Sequence, residues 1–201
     1  KVRKVSFPDY GSPSSSLVKM YLGGEFGDKP SDVNAYAASS FYAVDRFASL
    51  KKDWEKEWRD GVIIADRYTT SNAIHQCSKL PDSAWDSYLD WLFDYEYRLL
   101  GIPEPNLVIY LHVAPAVSQK LLAQRYEGHM EREDIHEKDR EYLARCEKAA
   151  AYCAQKLGWK TIECTAGGEM RTIEEIHNEV LSLADACLKD VKGRGGLADG
   201  S

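Results

Sequence analysis

Two groups of residues in this 201-residue chain have types and spacing suited to chemistry on a phosphate ester. The first is Asp66-Arg67-Tyr68, which follows Val62-Ile63-Ile64-Ala65, an apolar run too short for a helix and typical of a strand covered on both faces. An Asp beside an Arg at the tip of such a strand can set a carboxylate near a hydrated metal ion. The guanidinium fork can then meet phosphate oxygens. That is the equipment of phosphoryl transfer. For a bare Asp-Arg pair the commoner reading is a cap on the next helix. Here Ser71, Asn72, His75 and Gln76 continue on a polar segment, where an ordinary covering helix would be apolar. The second group is Tyr42 and Arg46, four apart on a helical pattern and therefore on one face. A ring beside a guanidinium can stack on a nucleobase while the Arg donates to its carbonyl edge. Taken singly, a residue such as Tyr42 is more often core and one such as Arg46 more often a solvated charge; the pair gains weight only from the other groups.

The elements that must hold these residues follow from periodicity. Val2 to Phe7 alternates apolar and polar as a strand does, and Pro8 stops it. A Gly, Ser and Pro-rich loop runs from Asp9 to Ser16, followed by a short apolar-polar segment from Leu17 to Leu22 and a turn at Gly23-Gly24. Ser31 or Asp32 can cap a long helix whose apolar positions include Tyr36, Phe41, Val44, Phe47, Leu50, Trp54 and Trp58, and Gly61 ends it. A second helical pattern fills Asp82 to Leu100. Leu107 to Val113 repeats the buried-strand signature, and Pro115 opens a helix through Arg125. The charge-dense stretch Glu127 to Lys148 passes into a helix ending near Leu157-Gly158. Lys160 to Cys164 reads as a last strand and Thr172 to Val191 as a last helix. Alternating strands and helices imply right-handed crossovers and a three-layer α/β/α fold around a central parallel sheet. In such sheets ligands bind beyond the carboxyl ends of the strands, where Phe7-Pro8-Asp9, Asp66-Arg67-Tyr68, Ala114-Pro115 and Thr165-Ala166-Gly167-Gly168 lie.

Composition sets limits. The content is 44% hydrophobic and 29% charged, enough for one packed domain over residues 1–191, with 192–201 as a disordered tail. A formal charge of −6 argues against a general nucleic-acid binder, which would carry a net basic face. No apolar run approaches the ~20 residues of a bilayer span, so a cytoplasmic protein is expected. Five cysteines without a Cys-x-x-Cys read as reduced, mostly buried thiols rather than as a disulfide frame or zinc ribbon. His112, on a buried strand, reads as a hydrogen-bonded structural histidine.

Together these residues resemble the thymidylate kinases, nucleoside-monophosphate kinases of the P-loop superfamily. Five pieces stand in the family's order. Phe7-Pro8-Asp9 is similar to the loop after the second strand, and Phe41-Tyr42-Ala43-Val44-Asp45-Arg46 resembles the base-binding helix. Asp66-Arg67-Tyr68 with Ser71 and Gln76 resembles the most specific motif. Leu107 to Arg125 looks like the strand, Pro turn and helix ending in Arg, and Asp134 to Asp139 with Tyr142-Leu143 like the segment leaving the lid. The resemblance implies transfer of the γ-phosphoryl group of ATP to dTMP, with Mg²⁺ bridging the phosphates, in a homodimer. Tyr42, with Phe41 as the near alternative, would stack on thymine, and Arg46 would donate to O4. Asp66 would support the metal shell through water or orient the phosphate-binding Arg67. Phe7, Asp9, Tyr68, Ser71 and Gln76 would line the substrate side. Arg125 would serve ATP, and Arg132 would close with a lid spanning about 125–141.

The chain departs from the family in places. It contains no G-x-x-x-x-G-K-[ST]. The family places that phosphate loop and a central strand ahead of the equivalent of Lys1, so about 30 residues, one βα unit, are expected upstream. His75 stands where a Tyr is usual and Tyr10 where a second phosphate-binding Arg is common. Two alternatives therefore stay open: an inactive relative that binds a nucleotide or a partner, and a kinase for another nucleoside monophosphate or a deoxynucleoside.

Overall fold

A computed structural model of the chain describes residues 1–125 and 140–195. The expected lid residues 126–139, with Arg132, and the end of the tail, 196–201, lie outside the described residues. The chain divides into two compact units, Lys1–Glu104 with Glu131–Cys153, and Pro105–Met130 with Ala154–Ser201.

The first unit is built on two parallel strands, β1 (Val2–Ser6) and β2 (Val62–Asp66), paired from Val2 opposite Val62 to Ser6 opposite Asp66. Phe7 N extends the ladder by donating to Asp66 O at 3.1 Å, and the Phe7-Pro8 peptide bond that follows is cis. Gly61 is required at the entry to β2. A Cβ there would stand 2.8 Å from Lys1 O and 2.9 Å from Glu57 O, closer than any side chain tolerates. The crossover consists of α1 (Ser16–Leu22), α2 (Ala35–Ser49), a π-wound stretch Leu50–Trp54 and α3 (Glu55–Asp60). The N-cap of α2 is Asn34, whose side chain accepts from Ala37 N at 2.9 Å. It replaces the expected Ser31 or Asp32, because Pro30–Asp32 forms a separate 3₁₀ turn and Val33 is extended. After β2 come α4 (Thr69–Cys77), a 3₁₀ turn Asp82–Ala84, α5 (Trp85–Phe93) and a second π-wound stretch, Asp94–Leu99. Val5, Phe7, Leu50, Trp54, Tyr68 and Ile102 form the core beneath the strands.

The helix α7 (Arg140–Lys156) belongs to this unit through Cys153 and packs Tyr142, Cys146, Ala149, Ala150 and Cys153 inward at helical spacing. The Trp85 and Tyr152 rings meet edge to face at 5.0 Å, and Lys148 pairs with Asp82. Trp54 and Trp85 are both core residues, whereas Trp58 is 41% exposed.

The second unit carries the other parallel pair, β3 (Ile109–His112) beside β4 (Lys160–Glu163), with α6 (Pro115–Arg125) and α8 (Ile173–Gly195). His112 is hydrogen-bonded as expected, with Nδ1 and Glu163 Oε2 2.6 Å apart, but the pair is exposed rather than buried. A hairpin that periodicity missed joins β5 (Thr165–Ala166) to β6 (Glu169–Met170) through Gly167 and Gly168, both at positive φ. Thr172 and Glu175 form a reciprocal capping box, Thr172 N to Glu175 Oε2 at 2.9 Å and Glu175 N to Thr172 Oγ1 at 3.2 Å. α8 continues to Gly195, so the first four residues of the expected disordered tail are helical. Lys192 complements the negative helix end there.

The fold is α/β with parallel strands, as the pattern predicts, but the strands of the described residues pair two by two. Burial on both faces is the expectation that fails: Ile64 is 55% and Leu111 48% exposed. Each strand here has a single hydrogen-bonded neighbour, and an apolar run is only as buried as the layers that cover it.

Candidate functional site

The site belongs to the first unit and starts from the inner face of α2. A helix that buries Ala35, Ala38 and Ala43 can approach its neighbours closely, and this one also buries the polar Ser39, Asp45 and Arg46. Asp45 Oδ2 accepts from Asp9 N at 2.8 Å and Oδ1 from Ser14 Oγ at 2.5 Å, which ties the loop after β1 to α2. Arg46, 1% exposed, meets Glu96 in a two-pronged pair, Nε to Oε2 at 2.7 Å and Nη2 to Oε1 at 2.5 Å. Burial works against the charge on Arg46, but the Glu96 carboxylate outweighs it and holds the guanidinium above its ordinary range. Removing either partner of such a buried pair costs about 3–5 kcal/mol, because the other charge is left uncompensated.

Beyond β2 the chain turns sharply. Arg67 has φ 63°, the left-handed region that side chains other than Gly enter at a cost of about 1–2 kcal/mol. The turn leaves its guanidinium exposed, with Nε donating to Ser71 Oγ at 3.4 Å and Nη2 2.8 Å from His75 Nε2. A guanidinium only donates, so His75 Nε2 is the acceptor and the ring proton is on Nδ1. His75 Nδ1 lies 3.2 Å from Tyr142 Oη, whose hydroxyl donates to His75 O at 3.2 Å. Tyr68, directly after Arg67, is buried and donates to Pro103 O at 2.9 Å. Burial pushes its phenol well above the usual range, so it is a neutral wall.

These groups form a cleft open to solvent, lined by Phe7, Pro8, Tyr42, Arg46, Arg67, Tyr68, Ser71, Asn72 and His75. Of the residues singled out from sequence, Phe7, Tyr42, Arg46, Arg67, Tyr68 and Ser71 line it. Phe41 instead packs against Tyr21 and Phe26, at 6.4 and 5.7 Å between ring centres. Asp9 turns its backbone to Asp45 and is not among the lining residues. Asp66 stands exposed, 3.9 Å from Lys4 Nζ. Gln76 is fully buried outside the lining, and its amide atoms have no hydrogen-bond partner among the described residues. Arg125 ends α6 in the second unit.

Sequence reasoning did not assign roles to Asn72, His75 and Glu96. Thr69, Asn72 and Gln76 are buried at i, i+3 and i+7 of α4, so a polar inner stripe marks Asn72. Glu96 continues the buried stripe of Trp85, Leu89 and Leu92, and an acid on an apolar stripe signals a partnered buried charge.

A cleft with an aromatic wall, a buried guanidinium and an exposed one suits a planar base attached to a phosphate. The family model described as thymidylate kinase matches residues 3–180 of this chain. The chain belongs to the thymidylate kinase family. It is 31% identical over 164 residues to the thymidylate kinase of Mycobacterium tuberculosis, covering 79% of this chain and 73% of that protein. It is 24% identical over 180 residues to the Danio rerio thymidylate kinase, covering 89% and 73%. A solved thymidylate kinase from Candida albicans superposes with a TM-score of 0.62 at 14% identity, over 92% of this chain and 80% of that one, which shows the shared fold.

Among the described residues no three His, Cys, Asp or Glu side chains converge on a metal position. Asp66, with 60% of its side chain exposed, suits a magnesium ion that keeps its waters and is held chiefly by substrate phosphates.

Proposed function

We propose that the cleft of the first unit is the nucleoside-monophosphate site of a thymidylate kinase. The reaction is attack of a dTMP phosphate oxygen on the γ-phosphorus of ATP. The bond from that phosphorus to the β–γ bridging oxygen breaks, giving ADP and dTDP. The observation that carries the reading is that Tyr42, Arg46 and Arg67, taken from two segments distant in sequence, line a single cleft. Tyr42 supplies a face for the base, Arg46 a donor to a base carbonyl, and Phe7, Pro8 and Tyr68 the apolar walls that keep water from the ring. Arg67 meets the monophosphate. Its backbone already holds the guanidinium at the strand tip, so little side-chain freedom is lost when the phosphate arrives. His75 and Ser71 brace that guanidinium from the side. Mg²⁺ would neutralise charge developing on the phosphates, with Asp66 reaching its water shell. Arg125 and Arg132 are assigned to the ATP side and the lid, and a homodimer in the cytoplasm completes the proposal. The described residues include no helix long and apolar enough to cross a membrane.

The test is a coupled ADP-release assay on the full-length protein with dTMP, dUMP, dGMP and thymidine. Turnover of dTMP above the others is expected, and no turnover of dTMP would end the reading.

A further inference from the structure

Beneath the cleft lies a carboxylate that the reaction itself does not use. Glu96 is fully buried and receives four hydrogen bonds: from Arg46 Nε at 2.7 Å, Arg46 Nη2 at 2.5 Å, Thr69 Oγ1 at 2.7 Å and Asn72 Nδ2 at 3.3 Å. We infer that Glu96 is the positioning residue that fixes the hydrogen-bond polarity of the base-reading edge, so that the cleft takes a pyrimidine imide (thymine or uracil) and refuses cytosine. The inference rests on the assignment of this cleft to the monophosphate.

The argument runs through Asn72. Its amide nitrogen faces Glu96 Oε1 at 3.3 Å and the main-chain oxygen of Ser39 at 3.2 Å. Both neighbours only accept, so the NH₂ group must be turned toward them. A flipped amide would set three oxygens together in a buried place. Asn72 lines the cleft, and the group left for a ligand is therefore Oδ1, an acceptor. Arg46 is constrained in the same way. Glu96 takes Nε–H and one N–H of Nη2, so whatever this cleft-lining residue offers a ligand from its remaining Nη groups is a donor and never an acceptor. One donor beside one acceptor is the complement of a carbonyl next to an N–H, the pattern of a pyrimidine imide. Cytosine presents an amino group and a bare ring nitrogen at the same two positions, so both contacts would be reversed. A site whose buried polar groups are left facing the wrong partner discriminates far more strongly than one that merely loses a contact.

Steady-state kinetics of full-length wild type, Glu96→Gln and Glu96→Asp on dTMP, dUMP and dCMP test this. A carboxamide cannot accept from every donor around position 96, so Arg46 and Asn72 lose their fixed orientation. Glu96→Gln is expected to raise KM for dTMP about 10-fold with kcat changed less than about 3-fold, and to narrow the preference for dTMP over dCMP by about 10-fold or more. Glu96→Asp keeps the charge and should restore most of that preference. A folded Glu96→Gln protein with wild-type KM and an unchanged dTMP to dCMP ratio would overturn the inference while leaving the kinase assignment intact. If neither variant folds, wild type decides with N3-methylated dTMP, which has no N–H for Asn72. A KM within about 2-fold of that for dTMP overturns the proposal, and a rise of about 10-fold or more supports it. Wild type without activity on dTMP removes the assignment of the cleft and this inference with it.

Discussion

Replacing Arg67 by Ala and, separately, by Gly separates what this residue costs the fold from what it gives the site. Its φ of 63° lies in the left-handed region. There a side chain with a Cβ loses about 1–2 kcal/mol, whereas Gly is at home. In regular structure Gly is worse than Ala by roughly 0.5–1 kcal/mol. At position 67 the order should invert, with the Gly variant more stable than the Ala variant by about 1 kcal/mol once the glycine's greater freedom in the unfolded chain is subtracted. In a chain of this size that is a difference of roughly 2–4 °C in melting temperature, readable by circular dichroism. Both variants remove the guanidinium equally. A charge-assisted contact to phosphate is worth about 1.5–3 kcal/mol, so kcat/KM for dTMP should fall roughly 10- to 150-fold in each. An Ala variant melting at or above the Gly variant would refute the strain argument. Activity within a few-fold of wild type in both would remove Arg67 from the phosphate site.

Tyr42 and Phe41 can be told apart in the same assay. Tyr42→Leu should raise KM for dTMP by about 10- to 100-fold, since stacking on a ring is worth about 1–3 kcal/mol, while Phe41→Leu should lower the melting temperature through its contacts with Tyr21 and Phe26. The reverse pattern would exchange their roles. Lys79 predicts a pH dependence of stability. Burial pulls its ammonium down to about 7, although Nζ donates to Tyr21 Oη at 2.7 Å and Val33 O at 3.1 Å. A free lysine titrates near 10.4. Between about pH 7 and 10 the unfolded chain therefore holds the extra proton, and stability rises with pH across that window. Lys79→Met should flatten the rise in urea midpoints measured at pH 7 and 9.5; identical slopes in the two proteins would count against it.

The site was legible where a local pattern carries its own chemistry. Asp66-Arg67-Tyr68 after an apolar run and a ring four residues before a guanidinium needed no tertiary information to be noticed, and Arg67, Tyr68, Tyr42 and Arg46 do share a cleft. The choice between Tyr42 and Phe41 was not legible, because adjacent residues on a helix differ by about 100° in direction and only packing says which direction is the cleft. Glu96 was invisible for a related reason. Its partners Arg46, Thr69 and Asn72 lie 50, 27 and 24 residues away, and no spacing rule reaches that far. The π-wound stretches Leu50–Trp54 and Asp94–Leu99 were likewise hidden inside ordinary helical periodicity.

The sequence by itself determined the succession of the four longer strands and the main helices, the parallel sense in which those strands pair, the breaks at Gly61 and Pro8, and the residue types gathered at the strand ends. Those depend on side-chain period and backbone preference, which are local. Tertiary structure alone decided that Ile64 and Leu111 stand exposed, that Asp45 and Arg46, the two charged residues of α2, point inward, and that Glu96 holds an Arg and an Asn in one fixed sense. Whether an apolar group is covered, or a buried charge partnered, depends on atoms brought from elsewhere in the chain.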